Sequence, residues 1–352
     1  MENLIAYLEK LTENPDKQLN DVADYNKDYT ALLLNCYVKK EKFDKIRAYI
    51  QTATAEQTKH LRIFDVDTAI DVCREHRPTR DQAISLATQQ QKWNLLVQIY
   101  IDDEEEYTKA QEIIEREIRN IRDRVDILKV YGPKILKHST AQHERRQLHS
   151  TMGPSLSEKL MHLVQRIAED ATSNDSAKSY APGQIPVKIE ELLQIFVDHP
   201  DHLRTFLEYV VLTLGERGVD FNQRRLTDIN LHHRLLECYL YKNQSLETAR
   251  QDNQDSSKVF EESNAIKQSI SSFLRKNDVN GKIDKNYVLF LFQIYQYNEG
   301  VKDCCKSLNL RQELLTFYIH HNETNEVFEW CRNPGISSRQ QNQASDGRER
   351  MQ

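Results

Sequence analysis

Apolar residues along the chain recur at the spacing of helices. Val66, Ala69, Ile70 and Cys73 lie at positions i, i+3, i+4 and i+7, which places their side chains on one face of a helix. Three more stripes follow: Ala83, Ile84 and Ala87; Trp93, Leu96, Val97 and Tyr100; and Tyr107, Ala110, Ile114 and Ile118. Such short helices cannot bury their apolar faces alone, so they must stack on neighbours. The pattern predicts an all-α fold, an α-solenoid of antiparallel helix pairs.

Two capping boxes are predicted at the starts of helices. Thr79 precedes Gln82 by three residues, and Ser155 precedes Glu158 by the same spacing. In a capping box, the hydroxyl of the first residue accepts a hydrogen bond from the backbone N–H of the residue three positions later. The side chain of that later residue accepts one from the backbone N–H of the first.

A hairpin pattern recurs three times: an apolar residue, eight residues, an aromatic residue, two residues and another apolar residue. The three matches are Leu34/Phe43/Ile46, Ile84/Trp93/Leu96 and Ile319/Phe328/Cys331. Each aromatic residue would begin a second helix and fold back onto the first. We therefore expect Trp93 to be a core residue.

Polar stretches predict the division of the chain. Residues 139–154 and 171–185 contain Gly, Pro and Ser, and a single amphipathic helix lies between them, with Leu160, Leu163, Val164 and Ile167 as its stripe. We expect a solenoid arm over 1–138, a flexible seam over 139–185, a second arm over 186–332 and a disordered tail over 333–352. Residues 243–258, which are also polar, are predicted to form a loop between helices.

Composition narrows the class of protein. The 352 residues include 9 glycines and 8 prolines, well below the roughly 7% and 5% of average proteins, so turns should be few and short. A net charge of -6 argues against general nucleic-acid binding. The N-terminus, with Leu4, Tyr7, Leu8 and Leu11 on one predicted face, lacks the basic start and apolar core of a signal peptide. We therefore expect a cytoplasmic protein, or one held on a membrane through partners.

No catalytic, cofactor-binding or metal-binding residues are predicted, and no protein-interaction residues can be assigned from the sequence. Cys304, Cys305 and Cys331 with His320-His321 form a Cys/His cluster, but adjacent cysteines point to different sides of a helix and lack the spacing of a zinc site. The six cysteines are expected to be reduced, small apolar residues. The acidic run 102–106 is predicted to lie at a helix N-terminus, where acids complement the dipole.

The sequence resembles the clathrin-heavy-chain-type repeat of the vacuolar protein sorting-associated protein 11 family. The strings that carry the resemblance include FDVDTAI (64–70), VQIYIDD (97–103), IFVDHPDHLRTFLEYV (195–210) and YVLFLFQIYQYNEGVKDCC (287–305). The family also has a β-propeller before this region and a zinc-binding RING after it, neither of which is found in the sequence. The resemblance covers most of the chain.

This resemblance implies a non-catalytic scaffold subunit of the HOPS and CORVET complexes, which tether endosomal and vacuolar or lysosomal membranes before fusion. Its implied partners are the other sorting subunits and, indirectly, Rab GTPases and SNAREs. It would lie peripherally on late endosomes and vacuoles or lysosomes. The alternatives are a generic helical-repeat adaptor and a fragment of a RING-type ubiquitin ligase. An RNA-binding helical repeat would need regularly repeated basic faces, which the acidic chain lacks.

Overall fold

The computed structural model describes residues 1–13, 23–54, 65–146, 154–172, 187–217, 219, 230–251, 256–279 and 283–332. Every regular element in these ranges is helical, as predicted. The chain divides into two compact units, Met1–Asp198 and His199–Gln352. The predicted tail, 333–352, lies outside the described residues.

The first unit is a succession of helices in which neighbours along the chain pack on one another. α2 packs on α1 and α4, α4 on α5, and α8 on α9. A 3-10 turn (Arg77–Thr79) precedes α5, α6 continues as a π-helical turn (Ile99–Asp103), and α10 continues as a 3-10 turn (Gln194–Phe196). The helices are α1 (Glu2–Glu13), α2 (Ala23–Lys39), α3 (Phe43–Thr54), α4 (Val66–Glu75), α5 (Arg80–Gln89), α6 (Trp93–Gln98), α7 (Tyr107–Arg116), α8 (Ile121–Arg146), α9 (Leu156–Thr172) and α10 (Ile189–Leu193).

The second unit continues with the same kind of packing. α12 contacts α11, α13 and α14, and the last four helices then pack each on the next. α11 (Pro200–Glu208) extends into a π-helical segment (Tyr209–Leu214). The remaining helices are α12 (Leu231–Gln251), α13 (Ser256–Val279), α14 (Lys285–Ile294), α15 (Asn298–Ser307), α16 (Arg311–His320) and α17 (Thr324–Arg332).

Six helix connections share one three-residue turn. Its middle residue adopts a positive φ in every case: 54° at Glu41, 53° at Gln91, 55° at Glu105, 54° at Gln296, 57° at Asn309 and 55° at Asn322. In five of the six, the third residue donates its N–H to the carbonyl five residues earlier, over distances of 2.8–3.0 Å. This bond is that of the Schellman motif, which usually has glycine at the left-handed position. None of the six left-handed residues is glycine. The chain can therefore have many short turns although it contains few glycines.

This turn corrects one of the three predicted hairpins. The next helix begins two residues after the left-handed residue, so Phe43 and Trp93 begin α3 and α6 as predicted. Phe328 does not begin a helix, because the turn is at Asn322 and α17 starts at Thr324. Its side chain, in the middle of α17, is 64% exposed.

Of the three polar stretches predicted as loops, 139–154 and 243–258 are partly helical. α8 runs to Arg146, so the first eight residues of the predicted 139–154 loop continue a helix that already buries Ser139. α12 and α13 occupy most of 243–258, because Asn243 and Leu246 extend the buried stripe of α12 despite their polar surroundings. Residues 147–153, 173–186 and 252–255 lie outside the described residues.

One predicted capping box forms and the other does not. The backbone N–H of Ser155 donates to the Glu158 carboxylate at 2.7 Å, and the Glu158 N–H donates to Ser155 Oγ at 3.2 Å. α9, which follows, buries Leu160, Leu163, Val164 and Ile167 as predicted. Thr79 instead donates its hydroxyl to the Cys73 carbonyl at 2.7 Å, since the 3-10 turn folds it back beneath α4.

Two glycines permit close contacts between helices. A Cβ on Gly132 of α8 would lie 2.6 Å from Ile195 Cγ2. A Cβ on Gly300 of α15 would lie 2.5 Å from Tyr297 Cδ1 and 2.6 Å from the Phe292 ring. Both separations are far below a normal van der Waals contact, so these positions accept glycine alone without rearrangement.

Candidate interaction surfaces

Trp93 lies at the edge of the first unit's core. Leu86, Leu96 and Ile99 are almost completely buried, whereas Trp93 is only partly buried against them. The prediction that Trp93 is a core residue is therefore wrong in degree. As the first residue of α6, it borders the face on which Leu96 and Ile99 lie.

The acidic run 102–106 spans the end of α6 and the start of α7, so the predicted position at a helix N-terminus holds only for its last residues, with Glu106 as the N-cap of α7. Asp102 and Asp103 belong to the π-helical turn. Arg74 forms an ion pair with Asp103, and Lys134 Nζ lies 2.7 Å from Asp102. Arg80 donates to the Asp103 carbonyl at 2.8 Å. The cations come from α4, α5 and α8, so Asp102 and Asp103 link α6 to three other helices.

Three of the six cysteines are buried apolar residues, as expected, and Cys238 and Cys304 are partly buried. Cys36, Cys73 and Cys305 are buried, and burial raises the pKa of the Cys73 thiol to about 12. Cys331 is exposed, which departs from the expectation. In the described part of the chain, no group of three His, Cys, Asp or Glu side chains is arranged to hold a metal ion.

The two histidines of the predicted cluster have local contacts. His320 Nδ1 lies 2.8 Å from the Thr316 carbonyl, and His321 Nδ1 lies 2.9 Å from the Phe317 carbonyl. Each ring is therefore within hydrogen-bonding distance of its own helix.

The N-terminal helix is rotated relative to the prediction. Ile5 and Leu8 are buried, whereas Leu4 is 41% and Tyr7 61% exposed. Because successive residues of a helix are about 100° apart, centring the contact with α2 on Ile5 and Leu8 turns Leu4 and Tyr7 towards solvent.

α14 carries two exposed apolar side chains on one face. Phe290 is 54% and Ile294 is 51% exposed. With Tyr287 they occupy positions i, i+3 and i+7, one face of the helix. We call Tyr287, Phe290 and Ile294 the α14 ledge.

Contacts from α12 hold Tyr287 in place. Its hydroxyl donates to the Glu237 carboxylate at 2.7 Å, and its ring stacks on His233 with centroids 4.5 Å apart. The hydrogen bond to Glu237 raises the pKa of Tyr287 to about 12. The Phe290 ring lies 6.3 Å from the Tyr287 ring. Tyr287 therefore has a fixed position, and Phe290 packs near its ring.

The charges beside the ledge are unequally exposed. Arg234 pairs with Glu237 at 2.5 Å, but the Arg234 side chain is 49% exposed and the Glu237 side chain only 18%. The Asp284 carboxylate accepts from the Asn286 N–H at 2.9 Å, capping α14. The Arg234 side chain is therefore the more exposed member of its ion pair, and Asp284 at the start of α14 is exposed as well.

The ledge was not predicted, although the sequence holds a signal for it. Within the segment KNYVLFLFQI (285–294), residues 287–292 are six consecutive apolar or aromatic residues, which is more than one turn of helix. Val288, Leu291 and Phe292 are buried, and a helix in a thin solenoid layer has at least one face without a neighbour. The apolar residues on that face are the ones left exposed.

One protein family matches the sequence over nearly its whole length. The sequence model described as the PEP5/VPS11 clathrin repeat matches residues 1–340. The chain belongs to this family. No solved structure matches it significantly.

Similar proteins from three distantly related organisms have names that correspond to this family. The vacuolar protein sorting-associated protein 11 homolog of Dictyostelium discoideum is 24% identical over 95% of this chain and 34% of its own length. The homolog of Homo sapiens is 26% identical over 95% of this chain and 30% of its own length. The Arabidopsis thaliana homolog is 27% identical over 68% of this chain and 21% of its own length. The chain thus spans about a third, or less, of these relatives.

In the clathrin-repeat solenoid, stacked helices offer an extended surface to other proteins. None of the helices in the described ranges has the length and hydropathy needed to span a membrane.

Proposed function

We propose that the chain is a non-catalytic scaffold segment of a complex that tethers endosomal and vacuolar or lysosomal membranes. The observation that carries the proposal is the match of the PEP5/VPS11 clathrin repeat to residues 1–340. The relatives are named as vacuolar protein sorting-associated proteins, which supports the same assignment. The chain would support vesicle docking and intracellular protein transport by holding other subunits in place.

The partners would be subunits of HOPS- or CORVET-type complexes, with Rab GTPases and SNAREs reached indirectly. The protein would lie peripherally on late endosome and vacuole or lysosome membranes through those partners. Exposed apolar side chains such as Tyr7, Phe290 and Ile294 support binding through surfaces, since interface hot spots are rich in large, well-packed side chains.

Affinity purification of the endogenous full-length protein tests the proposal. We expect other sorting subunits to co-purify in stoichiometric amounts at physiological salt. A matched purification from cells lacking the tag measures background. Recovery of the chain alone, or with unrelated proteins in place of sorting subunits, would contradict the proposed function.

A further inference from the structure

We propose that the α14 ledge binds a single amphipathic helix of a partner subunit, with apolar side chains against Phe290 and Ile294 and an acidic side chain beside Arg234. The inference rests on the proposed scaffold function and specifies how one of its contacts is made. It is drawn from the composition of α14, the rigidity of the ledge, its size and its charge.

α14 has apolar residues both on the side that packs in the second unit and on the exposed side. Val288, Leu291 and Phe292 are covered by the second unit itself, yet Phe290 and Ile294 remain 54% and 51% exposed. A helix that is hydrophobic all round is normally buried all round. Phe290 and Ile294 are thus the large apolar side chains of α14 that remain about half exposed.

The ledge is also pre-organised. The Tyr287 ring is fixed by its stack on His233 and its hydrogen bond to Glu237. Phe290 lies against that ring. Side chains that are already ordered lose little entropy on binding, which favours their use as anchors.

Its size indicates what the occupant is. A half-exposed Phe or Ile offers on the order of 100 Å², so the ledge presents a few hundred Å². A stable, self-sufficient interface needs about 800 Å² from each partner. The ledge is therefore too small for a whole domain or a symmetric second copy, while residues at i, i+3 and i+7 match two turns of one helix laid alongside.

The charge of Arg234 indicates which polar side chain the bound helix should carry. Arg234 is the half-exposed member of its ion pair, and Glu237 is already bound by both Arg234 and Tyr287. The exposed part of the Arg234 side chain would attract a partner carboxylate and repel a partner cation. We therefore expect an acidic residue flanking the apolar positions of the bound helix.

Site-specific photo-cross-linking can identify the occupant. Benzoylphenylalanine is placed at position 290 of the full-length protein in cells, and at position 260 as the matched control, because Phe260 of α13 is 47% exposed. Cross-linked peptides are then sequenced by mass spectrometry. We expect position 290, but not 260, to label one partner segment with apolar residues at i, i+3 or i+4, and an adjacent acid.

A synthetic peptide of the labelled segment then measures affinity by fluorescence anisotropy. Phe290→Ala should weaken binding roughly thirtyfold, the loss typical of a hot spot, and Phe260→Ala should change it less than about twofold. Arg234→Gln should weaken binding and reduce its dependence on salt. Melting temperatures like that of the unaltered protein would show that the variants fold.

Three results would overturn the inference. They are cross-links from position 290 to a second copy of the chain, cross-links to a segment without helical apolar spacing, and equal peptide affinity for Phe290→Ala and the unaltered protein. If sorting subunits co-purify undiminished with Phe290→Ala, the ledge has no such role while the scaffold function stands. If position 290 labels a helix outside any sorting complex, the ledge binds a helix but the proposed function fails.

Discussion

Replacing Gln91 with glycine should stabilise the first unit. Gln91 is the left-handed residue of the α5–α6 turn, with a φ of 53°, and its side chain is exposed. The Lys92 N–H closes the turn by donating to the Ala87 carbonyl at 2.9 Å. Glycine preserves that backbone bond and removes the clash between Cβ and the carbonyl that a left-handed residue suffers.

Two opposing terms set the magnitude. Relief of the left-handed conformation is worth about 1–2 kcal/mol. Glycine also gains entropy in the unfolded chain, which costs about 0.4–1 kcal/mol of stability. The net stabilisation is about 0.5–1 kcal/mol, which raises the melting temperature of a unit of this size by about 1–4 °C.

Thermal and urea unfolding followed by circular dichroism measure the effect. Ser85→Gly is the matched control, because Ser85 is an exposed residue in the middle of α5, where glycine should cost about 0.5 kcal/mol. Asn322→Gly supplies a second comparison at another turn, with a φ of 55°. Asparagine tolerates the left-handed region, so that variant should change stability little.

The sign of the change is decisive. If Gln91→Gly lowers the unfolding midpoint as Ser85→Gly does, then Gln91 is not left-handed in solution and the shared turn is wrong there. If Asn322→Gly stabilises as much as Gln91→Gly, relief of side-chain strain is not the source of the gain.

Three other changes test packing and titration. Gly300→Ala should destabilise the second unit by about 1–3 kcal/mol, as overpacking does, while Gly215→Ala, whose nearest atom would be 3.9 Å away, should not; equal melting of the two would refute the close contact. Gln111→Leu should raise the free energy of unfolding by about 1–2 kcal/mol, because its side-chain amide is buried without a partner among the described residues, and a lower unfolding midpoint would contradict this. Burial lowers the pKa of His202 and His233 below the ordinary value of about 6.5, so stability should be intact above that pH and fall as the pH drops below it; His202→Phe should flatten the pH profile, and an unchanged profile would count against a contribution from His202.

Helical periodicity predicted the fold because apolar stripes report burial directly. Ala69, Ile70 and Cys73 are all buried as their spacing indicated. The failures come from elsewhere. Thr79 could bond forwards as a cap or backwards to the Cys73 carbonyl, and spacing alone does not distinguish the two.

Local polarity misplaced two loops for a related reason. The segment from Asn243 to Gln251 has few apolar residues. Leu246 nevertheless lies two helical turns beyond Tyr239 and is buried, as Tyr239 and Leu240 are. A single apolar residue in register can continue a helix through a polar stretch, because the rest of that stretch faces solvent. The α14 ledge escaped prediction because a helix that is apolar on all sides does not reveal which face its neighbours cover.

The shared turn also explains how widely different sequences can build this repeat. In all six turns the left-handed side chain is exposed, and the turn itself is closed by backbone bonds. The identity of the tip residue is therefore weakly constrained, at a cost of about 1 kcal/mol for a residue other than glycine. The constraint falls instead on which helix faces are apolar, and similar apolar residues exchange at little cost when volume is kept. A chain built this way can retain its fold at the 24% and 26% identity seen over 95% of its length. Exposed positions such as Phe290 are largely free of that packing constraint, so the fold itself does not require a large apolar residue there.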